Sequence, residues 1–390
     1  MPSCARMPSA GPRSSRRPRS ASTSDPLTLS FAAPRMSPPH TAATEFRHAL
    51  GPLRLQSGAT LPEVEVAYAA YGELAPDGSN AILVTHGYTA SHRMLAHGDG
   101  VAEGSWAPLI GPGRALDTRR YFIVCSNMLG SCYGTTGPAS TDPGTGRPYG
   151  AGFPDITLQD IVLVQHRLLT HLGVRRLRAV VGPSYGGFQA LQWALDHPDM
   201  VDAIAAIVSA PYLPASPHME LASLCAALAA DPGWNGGDYY AVAGGVQATL
   251  QRLRTATLQA YGMDEVLRSQ GLDASTRATR IDAMARAWAG EFDAHALVVL
   301  LKAALAFDVR ADLGRLRCNV LHVTASTDLL FPPDEVRGTL TAAGGPRVAQ
   351  YLEMPTLFGH QASGPAHALW SPALRELLAV DALVPDAVAG

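Results

Sequence analysis

A serine that could act as a nucleophile stands in the segment Gly182 to Gly186, which reads G-P-S-Y-G. The pattern G-x-S-x-G is typical of a sharp turn that exposes a serine hydroxyl between a strand and a helix. Here the apolar, strand-like residues 177–181 precede the turn, and the helical residues 187–195 follow it. Glycines suit such a turn because side chains beside the serine would collide with both elements. An ordinary glycine-rich turn is the alternative, but the flanking elements favour Ser184 as a nucleophile that forms a covalent acyl-enzyme.

A serine nucleophile needs a base, and the base needs an acid that fixes its tautomer. Asp328 directly follows a predicted strand, and His360 follows the strand-like residues 349–354 further along the chain. This order of serine, acid and histidine is the one found with such a turn. We therefore expect Ser184, Asp328 and His360 to form a catalytic triad. The alternatives fit this order or its strand ends less well, and they are His295, His322, His367 and Asp308.

The tetrahedral intermediate of acyl transfer carries an oxyanion, which needs backbone N–H donors. One donor comes from the residue after the nucleophile, here Tyr185, and another comes from the loop after an early strand. The predicted strand of residues 81–85 is followed by His86-Gly87-Tyr88. The amides of Tyr88 and Tyr185 are therefore the expected oxyanion hole.

These candidate residues stand at the ends of apolar, strand-like segments, which alternate with helical ones from about residue 45. Such alternation indicates a mostly parallel sheet with helices on both faces, and ligands collect at the carboxyl ends of its strands. The clearest predicted strands cover residues 81–85, 121–125, 177–181, 203–209 and 319–324. Together with the serine turn, the pattern predicts an α/β protein with the α/β-hydrolase fold.

The strand pattern stops between about residues 211 and 307, where residues 219–230 and 276–289 read as helices. We predict that a helical cap, residues 211–307, is inserted into a core domain formed by residues 45–210 and 308–380. Such a cap would keep water away from a reactive acyl group.

The first 44 residues are basic, rich in serine and proline, and short of large apolar side chains. Such a composition cannot offset the entropy cost of ordering a chain, so residues 1–44 are predicted to be disordered. A transit peptide is an alternative to a plain tail or to a true start at Met36.

The composition of the whole chain is that of a globular enzyme. With 390 residues, of which 47% are hydrophobic, it can bury a large core. Its 30 basic and 33 acidic residues leave a net charge of −3, which favours neither nucleic acid nor an anionic membrane as a partner. The five cysteines lack metal-site or disulfide spacing, and no apolar run is long enough to span a membrane. We expect a cytoplasmic enzyme with small-molecule substrates, no metal and no bound cofactor, while a homodimer stays open.

Three stretches of the chain resemble the homoserine O-acetyltransferase family, and the resemblance extends from about residue 46 to 375. The longest stretch runs from Tyr121 to Asp160, and the others are D-P-G-W-N-G-G-D-Y at residues 231–239 and S-T-D-L-L-F-P-P at residues 326–333. The resemblance implies the same triad, a cap over a deep tunnel, and acyl-coenzyme A, foremost acetyl-coenzyme A, as the co-substrate. It also makes Tyr239 a candidate for contact with the substrate.

The chain departs from that family at the positions that the resemblance assigns to the acceptor. Where Cys225 stands, the family usually has an arginine that pairs with the homoserine carboxylate, and at the position of Gln361 it usually has an aspartate that holds the ammonium. Cysteine cannot replace a bidentate arginine contact. We therefore expect homoserine to be a poor acceptor, unless a shifted alignment gives the carboxylate contact to Arg252 or Arg254.

The leading hypothesis is an O-acyltransferase that moves an acetyl or similar short acyl group from acyl-coenzyme A to a small alcohol through an acyl-serine. The alternative is a serine hydrolase, an esterase or deacylase, in which water attacks the same intermediate. The triad and the oxyanion hole serve both reactions, so the choice depends on how well water is excluded. A non-catalytic binding protein would not need the intact set of Ser184, Asp328 and His360.

Overall fold

An eight-stranded sheet runs through the part of the chain that the computed structural model describes, residues 44–96, 105–342 and 349–380. The strands of these residues are β1 (Thr44–Arg54), β2 (Thr60–Tyr71), β3 (Ala81–Thr85), β4 (Phe122–Ser126), β5 (Thr141–Asp142), β6 (Arg147–Pro148), β7 (Leu177–Pro183), β8 (Ala203–Ile207), β9 (Asn319–Ala325) and β10 (Ala349–Met354). The large sheet has the order β1-β2-β4-β3-β7-β8-β9-β10, and β5 pairs with β6 apart from it. The predicted disorder of residues 1–44 falls outside the described residues, apart from Thr44.

The sheet is parallel from β4 through β10, as the sequence pattern predicts for an α/β-hydrolase fold. All five residues of β3 and of β8 are buried, which explains why these strands are continuous apolar runs. The antiparallel strands β1 and β2 were not predicted. Strand β1 contains Gly51 and Pro52, residues that weaken a strand pattern, and its register shifts around Gly51.

Helices cover both faces of the sheet. The helices of the described residues are α1 (Leu158–His171), α2 (Tyr185–Asp196), α3 (Leu221–Ala229), α4 (Gln247–Ala260), α5 (Met263–Ser269), α6 (Ala274–Ala289), α7 (Ala294–Leu305), α8 (Pro333–Ala342) and α9 (Ser371–Ala379). Leu83 of β3 packs in one apolar cluster with α1 and α2, whereas its neighbour Ile82 packs in a second cluster with α9. No helix in the described ranges has the length and apolar character of a membrane span.

Helices α3 to α7 follow one another between β8 and β9, within the segment predicted as a cap. Leu228, Leu250, Trp288 and Leu297, from four of these helices, share one apolar cluster, and Leu258 and Ile281 belong to another. Helix α7 also belongs to the main core, because Leu300 and Leu301 pack there with α1 and α2. The exact division into a core domain and a cap stays a prediction.

Candidate active site

Ser184 occupies the tight turn between β7 and α2. Its backbone has a φ of 55° and a ψ of −120°, which is rare outside glycine, and its N–H donates a 2.9 Å hydrogen bond to the carbonyl of Ile207. Glycine is required on both sides of the serine. A Cβ at Gly182 would lie 2.1 Å from Thr85 Oγ1, and a Cβ at Gly186 would lie 2.4 Å from Thr85 O. The turn therefore depends on the close approach of β3.

His360 connects the serine to a buried carboxylate. Its Nε2 atom lies 2.9 Å from Ser184 Oγ, and its Nδ1 atom lies 2.9 Å from Asp328 Oδ2. The other carboxylate oxygen, Oδ1, accepts the backbone N–H groups of Leu330 at 2.9 Å and Phe331 at 3.2 Å. With the Nδ1 proton donated to Asp328, Nε2 is left to accept the serine proton, as a general base must. The structure thus brings together the three residues that the sequence order selects.

Further hydrogen bonds support the serine turn from β8 and β9. Ser209 Oγ donates to the carbonyl of Ser184 at 2.8 Å, and His322 Nε2 donates to the carbonyl of Ser209 at 2.7 Å. Burial lowers the pKa of His322 to about 4, so its ring is neutral near pH 7. Val208 has a φ of 44°, which is unusual for a β-branched residue.

Sequence reasoning missed this support. It treated His322 only as a rival base, and it gave no role to Val208 or Ser209. The available signal was the position of these two residues directly after β8, since the carboxyl ends of neighbouring parallel strands meet at one edge of the sheet.

The two residues expected to form the oxyanion hole are neighbours in space. Tyr185 is the first residue of α2, and its ring stacks with that of Tyr88 at a centroid distance of 6.1 Å. The segment before Tyr88 is anchored because Gln189 Nε2 donates to the carbonyl of His86 at 3.0 Å. Burial lowers the pKa of His86 to about 3, and its neutral ring accepts the N–H of Met128 at Nε2. The donor roles of the Tyr88 and Tyr185 amides stay predictions.

A narrow and mostly apolar pocket reaches Ser184. Within it, the centre of a water-sized group can occupy a volume of only about 10 Å³. One wall is fixed by Trp106, whose Nε1 donates to Ser363 Oγ at 3.2 Å. Among the described residues, those that line the pocket include no lysine, arginine, aspartate or glutamate, and they are Gly87, Ala90, Met94, Trp106, Pro183, Ser184, Val208, His360, Gln361 and Ser363.

Gln361 is the candidate acceptor contact that lies in this pocket. Its side chain is only 2% exposed, and its backbone N–H donates to the carbonyl of Tyr261 at 3.0 Å. Within the described residues, its Oε1 atom is buried without a hydrogen-bond partner. Leaving a buried oxygen unsatisfied costs free energy, so Gln361 Oε1 is an unsatisfied acceptor in a residue that lines the pocket.

The other candidates for acceptor binding lie elsewhere. Cys225 is exposed on α3, and the Tyr239 hydroxyl binds the Asp293 carboxylate at the start of α7. Neither residue lines the pocket at Ser184. A shifted alignment would give the carboxylate contact to Arg252 or Arg254. Arg252 is exposed, whereas Arg254 is buried. In the described ranges, no group of three histidine, cysteine or acidic side chains is arranged to hold a metal ion.

Comparisons with known proteins agree with the fold. A family profile described as "alpha/beta hydrolase fold" matches residues 80–353. A homoserine O-acetyltransferase from Moorella thermoacetica is 39% identical over 337 residues, which cover 80% of this chain and 89% of that protein. These matches confirm the resemblance drawn from the sequence.

Solved structures of related enzymes have the same fold over most of this chain. The crystal structure of homoserine O-acetyltransferase from Bacillus anthracis superposes with a TM-score of 0.76 and 26% identity, and covers 87% of this chain and 98% of its own. An acetylester hydrolase from Corynebacterium glutamicum superposes with a TM-score of 0.72 and 27% identity, and covers 86% of this chain and 96% of its own. The chain is an enzyme with the α/β-hydrolase fold, and it belongs to the homoserine O-acetyltransferase family.

Proposed function

We propose that this enzyme is an O-acyltransferase that carries a short acyl group from acyl-coenzyme A to a small alcohol. The observation that supports this most is the continuous chain of hydrogen bonds from Ser184 through His360 to Asp328. In the first half of the reaction, His360 takes the serine proton while Ser184 Oγ attacks the thioester carbonyl. Asp328 stabilises the imidazolium that forms.

The two halves of the proposed reaction use the same groups in a ping-pong order. When the tetrahedral intermediate collapses, the C–S bond breaks and His360 returns its proton to the leaving thiolate of coenzyme A. The acceptor alcohol then gives its proton to His360 and attacks the acyl-serine. The C–O bond to Ser184 breaks, and the serine regains the proton as the ester leaves. The amides of Tyr88 and Tyr185 donate to the oxyanion in both halves.

The acceptor is proposed to be a small alcohol other than homoserine. The pocket at Ser184 offers no cationic side chain to a carboxylate among its described lining residues, and Gln361 offers a neutral oxygen in place of an anion. Charged hydrogen bonds contribute more than neutral ones, so a zwitterion gains little from such a pocket. Cys225 and Tyr239 remain weaker candidates for acceptor contact, because neither lines the pocket.

A serine hydrolase is the second candidate function. The uncharged pocket favours it too, because water needs no charged contact to attack the acyl-serine. The similarity to an acetylester hydrolase extends over most of the described chain. A cytoplasmic location is proposed on the scattered, unpaired cysteines, of which those in the described residues are free thiols.

Product analysis tests the two functions against each other. The enzyme is incubated with acetyl-coenzyme A, alone and with a panel of amino-acid alcohols, and free acetate and O-acetyl products are quantified. A transferase gives an ester whose amount rises with one alcohol, while acetate release falls. Acetate release that no alcohol changes would favour the hydrolase. Ser184→Ala is the control, and ester formation by this variant would exclude the acyl-serine route.

A further inference from the structure

Thr89, the residue after Tyr88, is bound by two side chains from the helices between β8 and β9. Arg254 Nη1 donates to Thr89 Oγ1 at 2.9 Å, and Trp288 Nε1 donates to the carbonyl of Thr89 at 3.2 Å. All three residues are buried. Both contacts are therefore shielded from water. In such surroundings, a hydrogen bond from a charged group such as the Arg254 guanidinium is strong.

The two donors also contact each other. The Arg254 guanidinium, on α4, lies 5.2 Å from the centre of the Trp288 ring, on α6. A cation over an indole face is attracted to it, and the attraction is larger when the pair is desolvated. A third helix contacts the preceding residue, because the Tyr88 hydroxyl donates to the carbonyl of Leu297 on α7 at 2.5 Å.

We propose that Arg254 and Trp288 are positioning residues that fix the backbone of Tyr88 and Thr89, and with it the N–H that stabilises the oxyanion. This inference rests on the proposed acyl-serine chemistry. An oxyanion donor works only within a few tenths of an ångström of its target, and a displacement of about 1 Å costs roughly a hundredfold in rate. On the core side, the segment is held by the contacts of His86 with Gln189 and Met128 and by the stacking of Tyr88 on Tyr185. The helices α4, α6 and α7 hold its other end.

A binding role for Arg254 makes a different prediction. As the partner of an acceptor carboxylate, Arg254 would act in the second half of the reaction and would set the KM of the acceptor. As a positioning residue, it acts on every tetrahedral intermediate, including the first one, for which no acceptor is needed. The geometry favours positioning, because Arg254 donates to Thr89 and is not among the residues that line the pocket at Ser184.

The experiment measures acylation without any acceptor. p-Nitrophenyl acetate is mixed rapidly with the full-length enzyme, and the burst of p-nitrophenol gives an acylation rate, an apparent dissociation constant and the amount of active enzyme. The variants are Arg254→Met, Arg254→Lys and Trp288→Phe. The last replaces the indole by a smaller aromatic ring that has no N–H. Arg286→Met is the matched control, because Arg286 is an exposed arginine on α6 that pairs with Asp282. The affinity for methylboronic acid, which forms a tetrahedral adduct with the serine, is measured in parallel.

We expect Arg254→Met to lower the acylation rate about 10- to 100-fold, the range for a disturbed oxyanion donor, with the dissociation constant of the ester changed by less than about twofold. Boronate affinity should fall by a similar factor. Arg254→Lys should keep part of the acylation rate and of the boronate affinity, and Trp288→Phe should reduce both by less than Arg254→Met does. Arg286→Met should match the wild type. An unchanged acylation rate with a raised acceptor KM would overturn the proposal and make Arg254 a binding residue. A smaller burst with an unchanged rate would overturn it as well, since it indicates misfolded protein. A burst that persists in Ser184→Ala would instead refute the acyl-serine itself.

Discussion

The hydroxyl of Ser209 donates a 2.8 Å hydrogen bond to the carbonyl of Ser184 and so ties the segment after β8 to the nucleophile turn. Both residues are buried, and the backbone of the nucleophile turn is strained at Ser184. We expect Ser209→Ala to lower the free energy of unfolding by about 1 kcal/mol, the usual contribution of one buried hydrogen bond. It should also slow acylation several-fold, because the serine is less well held. Urea unfolding and the p-nitrophenol burst measure the two effects, and a variant equal to the wild type in both would show that the bond is dispensable.

Ser184→Ala should abolish turnover without unfolding the protein. The change removes one oxygen atom from a turn whose shape depends on the flanking glycines and not on the hydroxyl. Loss of a triad nucleophile lowers turnover about a millionfold. Intact-mass spectra of the wild type with acetyl-coenzyme A should show an acetyl adduct that the variant lacks. An adduct on the alanine variant would mean that another residue is the nucleophile.

Gln361→Asp should shift the pH dependence of the reaction. A carboxylate beside His360, in a position only 2% exposed, favours the protonated imidazolium and raises the pKa of that histidine. Because the neutral ring is the base, the acid limb of kcat/KM should move to higher pH. Acetylation of homoserine should rise at the same time, since an anion can hold the ammonium. Gln361→Asn is the neutral control. An unmoved acid limb, or efficient use of homoserine by the wild type, would contradict this account of the pocket.

His322 should make the folded protein sensitive to mild acid. Its pKa is about 4 in the folded state, against 6.5 for an unperturbed histidine, because burial disfavours the charged ring. Between these pH values the unfolded chain binds a proton that the folded chain excludes. The free energy of unfolding is therefore highest above about pH 6.5 and falls as the pH drops toward 4, by roughly 1 kcal/mol per pH unit. Urea unfolding at pH 7.5 and 5.0 should show a smaller difference for His322→Gln than for the wild type, and equal differences would exclude His322 as a cause.

Trp106 should limit the size of the acyl group. Its buried ring forms a wall of a pocket that leaves about 10 Å³ to the centre of a water-sized group, which is room for a methyl group. We expect kcat/KM to fall steeply from acetyl to butyryl esters, and succinyl-coenzyme A to react poorly because the described residues that line the pocket include no lysine or arginine to face its carboxylate. Trp106→Leu should raise the butyryl to acetyl ratio about tenfold, since one or two methylene groups in an apolar pocket account for 1–3 kcal/mol. Trp106→Phe is the conservative control, and an unchanged ratio in Trp106→Leu would place the acyl group elsewhere.

The arrangement of Ser184, Asp328 and His360 was predictable because Ser184 directly follows β7, Asp328 comes just after β9, and His360 lies in the segment beyond β10, in the expected chain order. The turn around Ser184 adds glycines whose need is steric, so its position leaves little freedom. The support from His322 was not predictable. A histidine inside a strand has no spacing that distinguishes a hydrogen bond to Ser209 from simple packing.

The antiparallel edge of the sheet and the acceptor contacts could not be predicted from the sequence pattern either. Strand β1 carries polar residues on its exposed face and a bulge near Gly51, so it lacks the continuous apolar run of the central strands. The exposed position of Cys225 depends on how α3 packs against its neighbours, which a single sequence does not specify. The Arg254 contact joins residues 165 positions apart along the chain, and no local periodicity encodes it.

Helix α7 belongs to two apolar clusters at once, with Leu297 among the helices between β8 and β9 and Leu300 in the main core. Removal of the whole segment 211–307 would therefore take Leu300 and Leu301 out of the main core and expose the apolar residues that pack with them. For protein engineering, the interchangeable part of this enzyme ends before α7. Chimeras that graft α3 to α6 from a relative should therefore keep α7 unchanged and should retain Arg254 and Trp288, which contact Thr89 beside the oxyanion segment.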